Sequence, residues 1–304
     1  NTENDEIYIS HLGFETVIFP VTSESFSSEI NIVLKESSVS LQQIVISPEV
    51  NTLNQITDVD LETDPVKSSQ EILRKVPGLI IGQHAGGGKA EQIFLRGFDI
   101  DHGTDISLSV DGMPVNMVSH AHGQGYSDLH FLIPETIENI EFGKGPYYAK
   151  EGDFTTAGYV DFKTKNKLDN SSISVEYGDF NSFRTVGMFK VLETEKSNAY
   201  IAATLNTFDG PYDSPQNFNR YNVMGKFNFK LPGDQHMSIS ASHFQSKWDA
   251  SGQIPQRAVD SGLIDRFGAI DDTEGGNTSR SNLIINHTKI LSPTQKLKST
   301  AYAT

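Results

Sequence analysis

The sequence predicts a mainly β protein. It reads as the first seven or so strands of a transmembrane antiparallel β-barrel, preceded by a compact mixed α/β unit and the last strands of a small β-sandwich. Three observations predict this. From residue 167 onward apolar and polar residues alternate, most cleanly where Tyr221, Val223, Gly225, Phe227 and Phe229 interleave with Asn222, Met224, Lys226, Asn228 and Lys230, which gives a strand one apolar and one mainly polar face. The connections in that region alternate between short turns and long loops, the pattern of an outer-membrane barrel. Between residues 63 and 166 a helix signal is followed by five short β runs separated by dense glycine turns.

Composition bounds the alternatives. Of 304 residues, 21% are charged and 37% hydrophobic, too apolar a mixture for a disordered chain. The longest apolar runs, such as Gly78 to Ile81 and Phe131 to Ile133, are only a few residues. A transmembrane helix needs about 20, so none is expected, whereas a barrel strand needs only alternation. A formal charge of −15 argues against a nucleic-acid partner. With no cysteine there is neither a disulfide framework nor a thiolate metal site. The opening Asn1-Thr2-Glu3-Asn4-Asp5 lacks a basic region followed by an apolar run, so any export signal is expected upstream.

Four segments separate. Residues 1–36 carry short strands at Ile7 to Ile9, Thr16 to Phe19 and Ile30 to Leu34, with a serine-rich stretch between. Three strands are marginal alone, hence the tail of a β-sandwich. Residues 37–62 are a polar linker except for Leu41 and Ile44-Val45-Ile46. That β-branched run has two readings: a further strand of the sandwich, or a segment that adds to the sheet edge of a partner protein. Residues 63–166 form the α/β unit. Ser68-Ser69-Gln70-Glu71 reads as a capping box opening a helix with Ile72, Leu73 and Val76, which Pro77-Gly78 stops. Strands follow near 79–82, 92–96, 106–111, 137–142 and 159–164. Residues 167–304 form the barrel segment, with strands near 171–178, 182–192, 197–207, 220–230, 236–246, 279–290 and 295–303 and long loops at 208–219 and 247–278. Seven strands cannot close a membrane barrel, so more barrel is expected beyond Thr304. A soluble sandwich is the competing fold, because alternation does not say which face points inward.

The blocks SSQEILRKVPGLII, GGGKAEQIFLRGFD, ISLSVDGMPVN and ETIENIEFGKGPYYAKEGDFTTAGYVDFKTK stand in the order found in plug domains. In these four blocks the chain resembles the TonB-dependent outer-membrane receptors. Each block is weak alone; the four in register over some 100 residues are specific. SHLGFET followed by EINIVLKESSVSLQQIVIS resembles the carboxypeptidase-regulatory-like module that precedes such plugs. The resemblance implies a barrel of the 22-stranded type, location in the bacterial outer membrane, contact with its lipids, and active import of a scarce ligand: a siderophore, a metal or metal chelate, or another small nutrient such as a cobalamin-like molecule, a glycan or a peptide. It implies no enzymatic activity. It also makes Ile44, Val45, Ile46 and Ser47 a TonB-box-like segment that docks the energy-transducing partner. Gly97, Gly112 and Gly145 fall where the backbone must turn sharply or take positive φ. Arg96 has two readings, a lock between plug and barrel or an ordinary surface arginine.

The plug carries an unusual histidine content. His102, His120, His122 and His130 are four of nine in the chain. In SHAHGQGYSDLHF an extended backbone would point His120 and His122 to one side, with Asp128 and His130 available to complete a site for a transition metal. The plainer reading is a polar apex loop, bonded within itself or to substrate through His102, His120, His122, Tyr126 and His130. Gly86-Gly87-Gly88-Lys89-Ala90 fails as a phosphate loop, since Gln83 and Ala90 stand where Gly and Ser or Thr are needed. Trp248 and Tyr212, near the long loops, have two readings, the aromatic belt at the membrane interface or ligand stacking, and the belt is the plainer one. No resident cofactor is expected; a transition-metal ion is possible as cargo. The alternative function is a soluble or surface-attached β-rich module binding a ligand or metal.

Overall fold

In the computed structural model the described residues are 6–9, 17–21, 31–34, 55–57, 64, 66, 68–83, 87–100, 103–121, 123–292 and 294–304. The chain divides into two compact units, Asn1–Thr52 and Leu53–Thr304. In the first, β1 (Glu6–Ile9) and β2 (Val17–Pro20) form an antiparallel hairpin with Ile7 opposite Phe19. The strand expected at 30–34 is not borne out over its described part: residues 31–34 pair with no strand among the described residues, and Val33 is 89% exposed.

The second unit opens with β3 (Gln55–Thr57), which lies inside the stretch read as linker and pairs antiparallel with β9 (Ile137–Lys144). The plug sheet therefore starts before residue 63. The expected helix is a single 3₁₀ stretch, Gln70–Lys75, with the Glu71 amide donating to Ser68 Oγ at 3.3 Å. Pro77-Gly78 ends it, Gly78 taking φ +81°. The stretch is too short for an α-helix to propagate, but it buries Ile72 and Leu73 under the sheets.

Two plug sheets follow. β4 (Leu79–Gly82), β5 (Gln92–Leu95) and β6 (Phe98–Ile100) form an antiparallel meander. The other sheet runs in the order β3, β9, β10 (Gly158–Thr164), β7 (Ile106–Val110), β8 (Met113–Pro114), with β7 and β10 parallel. The strands β6 and β8 were missed in the sequence because each returns through a two-residue turn. Arg96-Gly97 (φ +53°, +81°) and Asp111-Gly112 (φ +50°, +85°) put both central residues at positive φ, the type I′ geometry that matches strand twist.

Seven antiparallel strands then pair strictly in sequence: β11 (Ser172–Gly178), β12 (Ser182–Glu193), β13 (Ser197–Phe208), β14 (Phe218–Leu231), β15 (Gln235–Asp249), β16 (Gly275–Ser292) and β17 (Gln295–Ala303). From β12 to β16 each has at least 12 residues, more than the 9–11 or so that cross a bilayer. The strands run further than the sequence indicated, shortening the long loops to 209–217 and 250–274.

The structure decides the direction of the faces. On β14 the polar series points inward: Arg220, Asn222 and Lys226 are buried together with Met224, while Tyr221, Val223 and Phe227 are exposed. A soluble sandwich would reverse this. The inward face is covered by the plug, whose core of Ile93, Leu108, Phe131, Phe142 and Phe162 takes in Phe244 of β15 and Ile284 of β16. A second cluster joins Ile133 and Leu168 to Val186, Tyr200, Ala202 and Met224 of the wall.

Candidate functional site

Charged side chains fasten the plug to the wall. Asp111, in the turn after β7, accepts from the Thr164 amide at 3.0 Å and from its hydroxyl at 2.5 Å. Lys226 Nζ of β14 reaches Asp111 Oδ2 at 3.2 Å, the Thr164 carbonyl at 3.0 Å and its Oγ1 at 2.8 Å. Both side chains are buried, 4% and 8% exposed. Burial raises the Asp111 carboxyl, but Lys226 and the Thr164 bonds outweigh it and hold the pKa below its ordinary value. Asn286 donates to the Asp111 carbonyl at 3.0 Å, Asn222 to the His130 carbonyl at 2.6 Å, and Arg184 to Glu135 at 2.6 Å. Arg280 donates to the Val115 carbonyl at 3.3 Å and covers the Phe131 ring at 4.7 Å. Among the described residues the fastening thus falls to lysine, arginine and asparagine of the wall, and Arg96 stands exposed in its turn.

Of the candidate histidines the described residues include His120 and His130, which occupy different environments. His102 and His122 lie outside the described residues, as do Ile44, Val45, Ile46 and Ser47. His120 sits exposed on a hairpin whose ends meet at the bridge between Met117 and Tyr126. The Met117 amide donates to the Tyr126 carbonyl at 2.9 Å and the Gly125 amide to the Met117 carbonyl at 2.7 Å. Asn116 ties down the base of the hairpin, donating to the carbonyls of Gly103, Ile106 and Gly125 within 3.0 Å. The His120 ring stacks on Tyr126, centroids 4.1 Å apart and 10° from parallel. Burial, then Asp128, pushes the Tyr126 phenol up to about 12, so it stays protonated in use.

His130 is buried instead, 1% exposed, between Asp128 (Nδ1 to Oδ1, 2.9 Å) and Glu91 (Nε2 to Oε2, 3.7 Å). The His130 backbone amide also donates to Asp128 Oδ1 at 2.8 Å. Burial opposes its charge, yet Asp128 and Glu91 prevail over burial and the neighbouring Arg220, pushing the pKa up to about 9. Asp128 is correspondingly lowered against its own burial. Among the described residues no three His, Asp or Glu side chains converge as a metal site.

A cavity of about 510 Å³ opens between the plug and the loop 250–274, lined by Lys89, Trp248, Gln253, Thr273 and Glu274. Sequence reasoning missed Lys89, Gln253 and Glu274 as lining residues, and of its two readings for Trp248 it favoured the aromatic belt over ligand stacking. Trp248 shares the inward face of β15 with Phe244 and Ser246 and lies over Gly88 of the plug. Its even spacing from Phe244 was the available signal.

A small α/β plug seated on the polar face of a seven-stranded β-wall whose outer face is apolar defines the class: a plug domain on the first strands of a β-barrel. Residues 48–159 match the TonB-dependent Receptor Plug Domain family, a match that begins upstream of β3. In fold the chain is similar to the siderophore receptor PirA from Pseudomonas aeruginosa, at 21% identity and a TM-score of 0.56 over 82% of this chain and 39% of that one. It is similar to the ferric-catecholate import receptor Fiu from E. coli K12 (16%, 0.59, 82% and 37%) and to the copper transporter OprC (16%, 0.58, 78% and 34%). The chain thus spans between about a third and two fifths of the length of these receptors. Residues 48–159 thus match the plug family, and the chain shares the fold of these receptors over the part that it spans.

Proposed function

We propose that the protein imports a scarce ligand across the bacterial outer membrane under the drive of a TonB-type partner. The observation that carries this reading is the inward polar face of the wall, closed by a plug that charged side chains hold in place. A barrier held by a few buried polar contacts opens only when work is done on it, which fits an externally energised importer better than an open pore. Ligand would first meet the plug at the end of the long loops, on the side of His120, Tyr126 and the cavity beside Lys89, with His102, His122 and His130 as the further contacts that the sequence offers. Ile44, Val45, Ile46 and Ser47 would dock the partner by adding to its sheet edge. Siderophore chelates and transition-metal ions are the cargo classes that the similar structures bring into view. The reading makes the protein a transporter rather than an enzyme.

The test is fractionation and uptake. The full-length receptor should stay with outer membranes through high-salt and carbonate washing, and growth on its cargo should require both TonB and Ile44 to Ser47. A protein released by the washes, or growth indifferent to TonB, would sink the reading.

A further inference from the structure

Lys226, Arg184 and Asn286 of the wall find polar partners on the plug, but one group of inward side chains does not. Thr204 of β13 and Asn222 of β14 stand opposite each other in register, and Arg220 is the next inward residue of β14. Thr204 Oγ1, Asn222 Oδ1 and Arg220 Nη1 are all buried without a hydrogen bond within the protein, although the Asn222 amide donates to the His130 carbonyl. Ser246, opposite Arg220 on β15, leaves its buried Oγ unpaired as well. Thr204, Asn222 and Arg220 line one cavity together with Ser69, His130 and Leu132 of the plug. A buried donor or acceptor left unmet gives up its bonds to water and gains nothing in return. Three such atoms around one cavity point to a shared partner.

Size and chemistry say what that partner is. The cavity holds about 10 Å³, close to the least that admits one water molecule, about 10–15 Å³. A guanidinium nitrogen only donates, an amide oxygen only accepts, and a hydroxyl does either. A cation would be repelled by Arg220 and an anion by Asn222 Oδ1, whereas water accepts from the first and donates to the second. Asp128 and Glu91 act on Arg220 from the plug, and His130 pairs with Asp128, so no charge here calls for a counter-ion. We propose that one water molecule is bound between plug and wall, shared by Arg220, Asn222 and Thr204, and that plug and wall part first at this place. All three partners belong to the wall, so the water stays with them when the plug shifts, and a bridging water serves nearly as well as a direct bond. Parting here breaks the single bond from Asn222 to the His130 carbonyl, whereas parting at Lys226 strands two buried charges. The order of parting rests on the import reading; the water site does not.

The experiment uses the purified full-length receptor without cargo or an energy source. A crystal structure should show a water oxygen within about 3.2 Å of both Arg220 Nη1 and Asn222 Oδ1. Thr204→Val removes the hydroxyl at nearly equal size. If that hydroxyl is bonded to water, its loss should speed hydrogen exchange at the His130 and Leu132 amides by about threefold to tenfold. If it is unmet, its removal should slow them. Thr204→Ser keeps the hydroxyl and should exchange as the wild type does. In the wild type the His130 and Leu132 amides should exchange at least about tenfold faster than the Thr164 and Asp111 amides beside Lys226. No density at that place, exchange slowed or unchanged in Thr204→Val, or Thr164 and Asp111 amides that exchange as fast as the other two would each overturn the proposal. Should Thr204→Val fail to fold, the density and the wild-type exchange order decide. Transport is read separately: a receptor that meets these expectations but takes up cargo without TonB refutes import and leaves the water site standing.

Discussion

Replacing Lys226 with Met tests the fastening of plug to wall. Methionine keeps the length of the side chain and removes the charge, leaving Asp111 buried with only Thr164 to bond its carboxylate. Breaking a buried ion pair by removing one partner costs about 3–5 kcal/mol, because the remaining charge stays desolvated. The 4% and 8% exposure of the two side chains leaves little water to screen that cost. Hydrogen exchange in the full-length receptor is the assay, followed at the Thr164 amide, which donates to Asp111, and the Asp111 amide, which donates to Phe162. If these amides exchange through local release of the plug, Lys226→Met should speed them by about a hundredfold to a few thousandfold. Adding Asp111→Asn to Lys226→Met removes the stranded charge and should recover about 1–3 kcal/mol. Exchange within about threefold of wild type in the single variant would refute the reasoning, since it would mean that the pair contributes nothing net.

Other outcomes follow from the same geometry. Asp111 has a depressed carboxyl pKa, so its contribution is present above its unfolded value of about 3.9 and is lost as pH falls through the lower folded value; acid titration of plug exchange should show release only there. His130 behaves oppositely. Its contribution is complete below its unfolded value of about 6.5 and disappears as pH rises through about 9, and Asp128→Asn should abolish that alkaline step in plug stability. Val223→Lys, on the exposed apolar face of β14, should cost about 2–4 kcal/mol of membrane insertion if it faces the bilayer midplane; unchanged heat-modifiable mobility on a gel would contradict the outward assignment. Gly112→Ala, at φ +85° with Thr300 Oγ1 3.4 Å from the new Cβ, should destabilise the plug by about 1 kcal/mol or more, seen as a lower midpoint in urea.

The wall was legible because each strand carries its own evidence, a period of two bounded by turns, and all seven appear within a few residues of their expected places. Which face points inward was not legible, since alternation is symmetric under that exchange. Asn222 and Lys226 declared themselves polar, but their partners His130 and Asp111 stand 92 and 115 residues away. β3 went unseen because Gln55-Ile56-Thr57 is too short to show a period, and is a strand only because β9 offers it an edge. The candidate site was the least legible. The histidines drew attention by composition, whereas packing buries His130 between carboxylates and leaves His120 on the surface. The cavity needs Lys89 from one segment and Trp248 and Glu274 from another more than 150 residues on, a juxtaposition that no local pattern encodes.

The inward face of the wall has a consequence once the plug is considered as a moving part. Arg184, Arg220, Lys226 and Arg280 all point at the plug from β12, β14 and β16. In a chain of formal charge −15, those cations are now compensated by plug groups such as Glu135 and Asp111. Any shift that carries these carboxylates away leaves a corridor lined by positive charge through a low-dielectric membrane, where such a field concentrates anions. The passage along this wall would then favour negatively charged solutes over cations, and reversal potentials across planar bilayers holding a plug-deleted receptor in a salt gradient would report that preference directly.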